Sequence, residues 1–145
     1  RPTKPFTQRR YGDSTEVFVL SKQQGDSVVV GGVGADGRWM RVLTRRAAQL
    51  LWFNLTGLLF PEKSRQVTGI AVTAPLRGRE RPSVTHHLEV VRTADNYIEV
   101  LGWAEKDTWW ARLPEYEARN LWTKLDLLLY PVGWEGRNSK KPSGT

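Results

Sequence analysis

Apolar residues recur at three- and four-residue steps in two stretches of the chain; elsewhere they fall at alternate positions or in short runs. From Leu43 to Pro61 the sequence reads Leu-Thr-Arg-Arg-Ala-Ala-Gln-Leu-Leu-Trp-Phe-Asn-Leu-Thr-Gly-Leu-Leu-Phe-Pro. Ala48, Leu51, Trp52, Leu55, Leu58 and Leu59 share one stripe of a helix, which therefore faces a core. Thr44 is placed to cap its start and Pro61 to stop it. The second stretch, Leu113 to Pro131, repeats this phase without a gap at an offset of 70 residues. Leu43/Leu113, Ala48/Ala118, Leu51/Leu121, Trp52/Trp122, Leu55/Leu125, Leu58/Leu128, Leu59/Leu129 and Pro61/Pro131 all match. So long a shared pattern marks an internal duplication.

The segments between the helices read as strands. In the first half, strands are expected at 17–22, 27–31 and 39–43; in the second, at 66–74, 87–92, 97–102 and 108–112, followed by a helix over 115–130. The 70-residue offset lays Leu88 on Phe18, Val90 on Leu20, Ile98 on Val28, Val100 on Val30 and Trp109 on Trp39. The unit is thus β-β-β-β-α, written twice. Its leading strand in the first copy is expected in or before Arg1–Gln8, with Arg9–Asp13 forming a turn. Gly32-Val33-Gly34-Ala35-Asp36-Gly37 matches a GxGxxG fingerprint, but that motif needs a strand leading into a helix. Here more strand composition follows, and Asp36-Gly37 is a hairpin signal, so a glycine-rich hairpin is expected.

A chain of 145 residues suits one domain with one core. That domain is read as residues 1–131, its repeats as about 1–61 and 62–131, and 132–145 as a disordered basic tail. There is no cysteine, so neither a disulfide framework nor a thiolate metal site is available. No apolar run reaches the roughly 20 residues that cross a bilayer. The numbering opens on Arg1 without an initiator Met, which accords with a trimmed leader, a mitochondrial or plastid transit peptide being one candidate.

Charge narrows the function classes. Lys and Arg exceed Asp and Glu by 22 − 15 = 7, and the pI is about 10.1. A surface this basic points to a polyanion, most often nucleic acid. Arg77, Arg79 and Arg81 alternate, and alternate residues of an extended chain point to one side, where three guanidiniums suit a phosphate backbone. The plain alternative is a solvated basic loop. Arg79 falls on Arg9, beside Arg10, and Arg92 falls on Lys22. Arg41 and Arg112 end the strands that lead into the helices, while Arg38 and Lys106 lie at the preceding hairpin turns. Trp110 faces opposite to Trp109, so it is the better placed of the two to stack on a base, although core placement of both stays open.

The two helices differ where they do not match. Leu50, Phe53 and Phe60 widen the apolar surface of the first, where the second has Asn120, Thr123 and Tyr130. Arg45 and Arg46 sit at a helix start that favours negative charge, so an anion or an acidic partner is expected to compensate them. These five residues form a candidate subunit interface, with deeper burial inside the monomer as the alternative. Enzyme signatures are missing: His86 and His87 are strand neighbours that point apart, and the carboxylates are scattered. No cofactor, no metal and no catalytic residue is expected.

The duplicated unit, the basic charge and the Leu-Trp-x-x-Leu-x-x-Leu-Leu helices together resemble the Whirly/Pur-alpha superfamily of single-stranded nucleic-acid binders. The tryptophan-rich, basic character is similar to that of the kinetoplastid mitochondrial guide-RNA-binding proteins, over about Pro5 to Pro131. The resemblance implies an α+β fold of two antiparallel four-stranded sheets with two helices packed behind them, and oligomers, including a heterotetramer, joined through the helices. It implies a mitochondrial matrix protein that holds single-stranded RNA by sequence-independent phosphate contacts and lets guide RNA and mRNA anneal during RNA editing. A single-stranded DNA binder and a protein-assembly module are the alternatives.

Overall fold

The computed structural model describes residues 7–22, 26–63 and 81–130. Seven strands and two long helices follow the chain: β1 (Thr7–Asp13), β2 (Thr15–Ser21), β3 (Val28–Gly34), β4 (Gly37–Leu43), α1 (Arg45–Leu59), β5 (Thr85–Arg92), β6 (Tyr97–Ala104), β7 (Asp107–Pro114) and α2 (Glu115–Leu129). A further helical turn opens at residue 61. The fold is α+β, and the described strands form one seven-stranded mixed sheet in the order β1-β7-β6-β5-β4-β3-β2.

This corrects the expectation of two antiparallel four-stranded sheets. Each half does contribute an antiparallel meander, β2-β3-β4 and β5-β6-β7. The meanders are joined by a parallel contact at Leu43 and Thr85, and β1 crosses over to pair in parallel with β7 of the other half. Pairing between repeats has no local signature, because alternation fixes a strand's face and not its neighbour. The leading strand is also later than expected: Thr7–Asp13 takes in the residues read as a turn. Gly12, at φ +77°, absorbs the bulge between Arg10 and Gly12, a conformation that costs glycine little. The strand expected at 66–74 and the tail lie outside the described residues.

Only Ser14 separates β1 from β2, and it is fully buried. Its N–H donates to the Arg112 carbonyl at 2.8 Å, and its Oγ accepts from Trp39 Nε1 at 3.0 Å. The sheet therefore coils until the start of β2 meets β7.

The two helices differ in their caps and share a pattern of contacts. Thr44 caps α1 by accepting from the Ala47 N–H at 3.0 Å. α2 has no such cap, and Glu115 and Glu117 in its first turn favour the positive end of the helix dipole instead. Trp52 Nε1 donates to Asp126 at 3.0 Å, and Trp122 Nε1 donates to Thr56 at 2.7 Å. Trp122 and Asp126 lie 70 residues beyond Trp52 and Thr56, so the two bonds are copies related by an approximate twofold. Beneath them Leu51, Leu55, Leu121 and Leu125 join Val28, Val30, Ile98 and Val100 in one core drawn from both halves.

One strand departs from the repeat. Leu88 pairs with Gly102, but Phe18 pairs with Gly31 and not with Gly32. A one-residue slip exchanges the two faces of a strand. Hence Val17 is buried in β2 where the offset had placed Phe18 opposite Leu88. The slip sits at a bulge where Glu16 has φ +52°, and the Glu117 carboxylate accepts from the N–H groups of Glu16 at 2.9 Å and Val17 at 3.4 Å. Ala47 holds the equivalent place in α1. Glu117→Gln, which removes the charge and offers one acceptor for two donors, is expected to lower stability by about 1–2 kcal/mol. Urea denaturation of the two proteins measures it.

Candidate nucleic-acid interface

The basic residues that the sequence singled out separate into two groups. Arg9, Arg10 and Arg38 converge on a groove between β1 and the β3–β4 hairpin, which Tyr11, Asp36, Gly37 and Trp39 complete. The register explains the convergence. β1 sets Arg9 against Trp109 and Arg10 against Trp110, and the Ala35 N–H donates to the Tyr11 carbonyl at 3.0 Å, tying the hairpin tip to β1. Tyr11 stacks flat on Trp39, with centroids 4.5 Å apart and planes 4° from parallel, and Trp109 leans on both. Three arginines thus line one groove together with the stacked Tyr11 and Trp39.

Arg9, Arg10 and Arg38 are exposed, and none forms an ion pair among the described residues. Lys106 lies exposed at the tip of the β6–β7 hairpin. Its N–H donates to the Pro82 carbonyl at 3.1 Å, bringing the exposed Arg81 to the same end of the sheet. The Asp107 carboxyl registers this charge. It is held below its ordinary value, chiefly by the hydrogen bond from Arg41, with burial opposing and the charges of Arg41, Arg9 and Lys106 adding to the lowering.

Arg41, Arg92 and Arg112 are committed to the fold. Arg41 is 7% exposed and grips Asp107 with two bonds, Nη1 at 2.9 Å and Nη2 at 2.8 Å, while also reaching the Ser83 carbonyl and the Tyr11 hydroxyl. Arg112 bonds Asp13 at 2.8 Å and Asp95 at 3.3 Å and lies 4.0 Å above the Tyr97 ring. Arg92 bonds Glu115 and the Leu58 carbonyl, both at 3.1 Å. Lys22 is exposed beyond the end of β2 remote from Ser14. Arg77 and Arg79 lie outside the described residues. Position along a strand identifies a cation but not the carboxylate waiting across the sheet.

The tryptophan pair resolves clearly. Trp109 is buried, with its Nε1 donating to Thr85 Oγ1 at 2.9 Å. Trp110 turns to the other face of the sheet, half-exposed, with the Arg10 guanidinium 4.7 Å over its ring.

Several residues of the candidate subunit interface make contacts within the chain. Arg45 donates to the Leu129 carbonyl at 3.4 Å, so the negative end of α2 supplies the compensation that its place at the start of α1 calls for. Phe60 meets Trp122 edge-on at 4.7 Å and lies under Arg119. Phe53 packs half-buried against the core, and Leu50 and Arg46 are half-buried. The large apolar side chains most exposed on the helices are instead Tyr116 at 60% and Leu127 at 61%, both on α2.

Tyr11 and Trp39 are the site residues that sequence reasoning missed. The alternation of Arg9 with Tyr11, and the match of Trp39 to the buried Trp109, were the available signals. His87 lies against Trp103 and 3.5 Å from Glu89, and no cluster able to hold a metal occurs among the described residues. The glycine-rich stretch is a hairpin, as expected, with Gly32 and Gly34 in β3 and Gly37 opening β4. No helix among the described residues is long and apolar enough to cross a membrane. No family model matches the chain, and no curated protein or solved structure matches it.

Proposed function

We propose that the protein binds single-stranded RNA, without sequence preference, through phosphate contacts made by Arg9, Arg10, Arg38, Arg81 and Lys106. The observation that carries this reading is the groove lined by Arg9, Arg10 and Arg38 from β1 and the β3–β4 hairpin, none of them bonded to a carboxylate among the described residues. A folded protein ordinarily pairs or disperses such charges, and a planar guanidinium fork matches phosphate oxygens. Tyr11 and Trp39 are stacked on each other, so the groove offers charge to a backbone and few free ring faces to bases. Bases left outward are available to pair, which fits annealing of a guide RNA to mRNA in mitochondrial RNA editing, the role that the resemblance suggests. A homologous subunit docking through the helices, with Tyr116 and Leu127 as the apolar contacts, belongs to the same reading. No catalytic role is proposed.

Phosphate binding must weaken steeply with salt. In an electrophoretic titration with guide-length RNA of mixed sequence, Arg9→Ala/Arg10→Ala/Arg38→Ala is expected to flatten the slope of log affinity against log salt by about 2. An unchanged slope and affinity would discard the groove as the binding site. Competition between RNA and DNA of one sequence separates the RNA reading from a single-stranded DNA binder.

A further inference from the structure

We infer that Trp110 is a positioning residue, which holds the Arg10 guanidinium for a backbone phosphate and does not itself stack on a base. The inference rests on the groove reading and assigns one of its aromatic residues a different task from the one aromatic exposure suggests.

Two arginine–aromatic stacks lie on this side of β7, and they differ in charge balance. Arg112 sits 4.0 Å above Tyr97, but its charge is met by Asp13 and Asp95. Arg10 sits 4.7 Å above Trp110 and has no carboxylate partner among the described residues; its hydrogen bond is to the neutral Gln8 side chain at 3.5 Å. The first stack is an internal clamp, whereas the second displays a net positive charge.

Its geometry follows from the sheet. β1 ends the sheet among the described strands, with its first four residues exposed, so a long side chain there is otherwise free to sample many rotamers. Parallel pairing places Arg10 directly beside Trp110, on one face, while Leu101 flanks Trp110 from β6. The indole face attracts the cation and restricts where it can lie. An arginine ordered before binding loses less freedom when it meets a phosphate. The same contact occupies the ring face that a nucleobase would need. Arg10 also lines the groove with Arg9 and Arg38, so its backbone and side chain border the proposed binding track.

The experiment uses the full chain and two labelled probes, a mixed-sequence single-stranded RNA and an abasic oligonucleotide of the same length. The variants are Trp110→Leu, Trp110→Phe, Arg10→Ala, the double variant Arg10→Ala/Trp110→Leu, and Arg9→Ala/Arg38→Ala. Trp110→Leu is expected to weaken both probes about fivefold, as much as Arg10→Ala does. The double variant should bind no worse than either single one, and Trp110→Phe should recover most of the loss. A loss confined to the RNA probe, or one that adds to that of Arg10→Ala, overturns the proposal and makes Trp110 a base platform. If Arg9→Ala/Arg38→Ala weakens binding while Trp110→Leu and Arg10→Ala do not, the groove stands and the positioning role is wrong. If none of the variants alters binding, both fall. Arg10→Ala changes an exposed edge residue, and Trp110→Phe keeps an aromatic ring, so the comparison survives a folding defect in Trp110→Leu.

Discussion

Asp107→Ala is expected to destabilise the protein by about 3–5 kcal/mol, because it leaves a buried guanidinium without its partner. The Arg41 and Asp107 side chains are 8% and 5% exposed, and two hydrogen bonds join them. Alanine at 107 removes both acceptors, leaving Arg41 only the Ser83 carbonyl and the Tyr11 hydroxyl, at 3.3 and 3.4 Å. Neither carries a countercharge. Replacing both partners with apolar residues, as in Arg41→Leu/Asp107→Leu, is expected to cost much less, since an ion pair removed whole takes its desolvation penalty with it. The repeat supports this: the positions equivalent to Arg41 and Asp107 are Ala111 and Gly37, so the other half folds without a pair there. Chemical denaturation of the wild type and both variants gives the comparison.

The same pair sets an acid limit. Asp107 is held below its ordinary value of 3.8, first by the Arg41 hydrogen bond, so its folded form binds a proton less readily than the unfolded chain does. The stabilisation it brings is therefore complete above the unfolded value and is lost as pH falls through the lower, folded one. Between pH 7 and about 5 this carboxylate contributes almost no slope; as pH falls further, wild type and Asp107→Ala should converge in stability.

Sequence made the helices and hairpins legible because each is a local object. The stripe through Leu51, Trp52 and Leu55 names a buried helix face, Thr44 its cap, and Asp36-Gly37 a turn, with no distant partner needed. The 70-residue offset goes further and pairs Trp52 with Trp122, whose indoles bond Asp126 and Thr56, themselves an equivalent pair. It failed where the halves exchange chain. β1 crosses to β7, and its bulged, arginine-rich Arg9–Asp13 resembles a turn because an edge strand needs no continuous apolar face. It failed again at β2, where the Glu117 carboxylate stabilises a bulge that shifts the register by one residue. Among the cations, alternation identified arginines but not their partners: Arg9, Arg10 and Arg38 converge on a groove while Arg41, Arg92 and Arg112 are bound by carboxylates. That division depends on Asp13, Asp95, Asp107 and Glu115, each 15 or more residues away from the arginine it meets.

Gly102→Ala is expected to cost about 3 kcal/mol, and more than the same change at Gly32, although the two glycines are equivalent in the repeat. At both places a tryptophan on the next strand lies across the glycine, Trp39 opposite Gly32 and Trp109 opposite Gly102. A Cβ at Gly32 would stand 3.7 Å from the Trp39 ring, an ordinary contact, and would crowd only the Thr15 carbonyl at 2.9 Å. At Gly102 it would enter the Trp109 indole itself, with Cζ2 at 2.7 Å and Nε1 and Cε2 closer still. Trp109 cannot yield, since it is 1% exposed, bonded to Thr85 and pressed against Trp39. The consequence reaches the groove, because Tyr11 rests on Trp39 and Trp109 and directly follows Arg9 and Arg10 in the chain. Gly102→Ala should thus lower the denaturation midpoint and, at temperatures where the variant is still folded, weaken RNA binding as well. Gly32→Ala should show the smaller stability loss with binding largely kept. Equal losses at the two sites would mean that the aromatic stack does not transmit the strain from the core to the arginines.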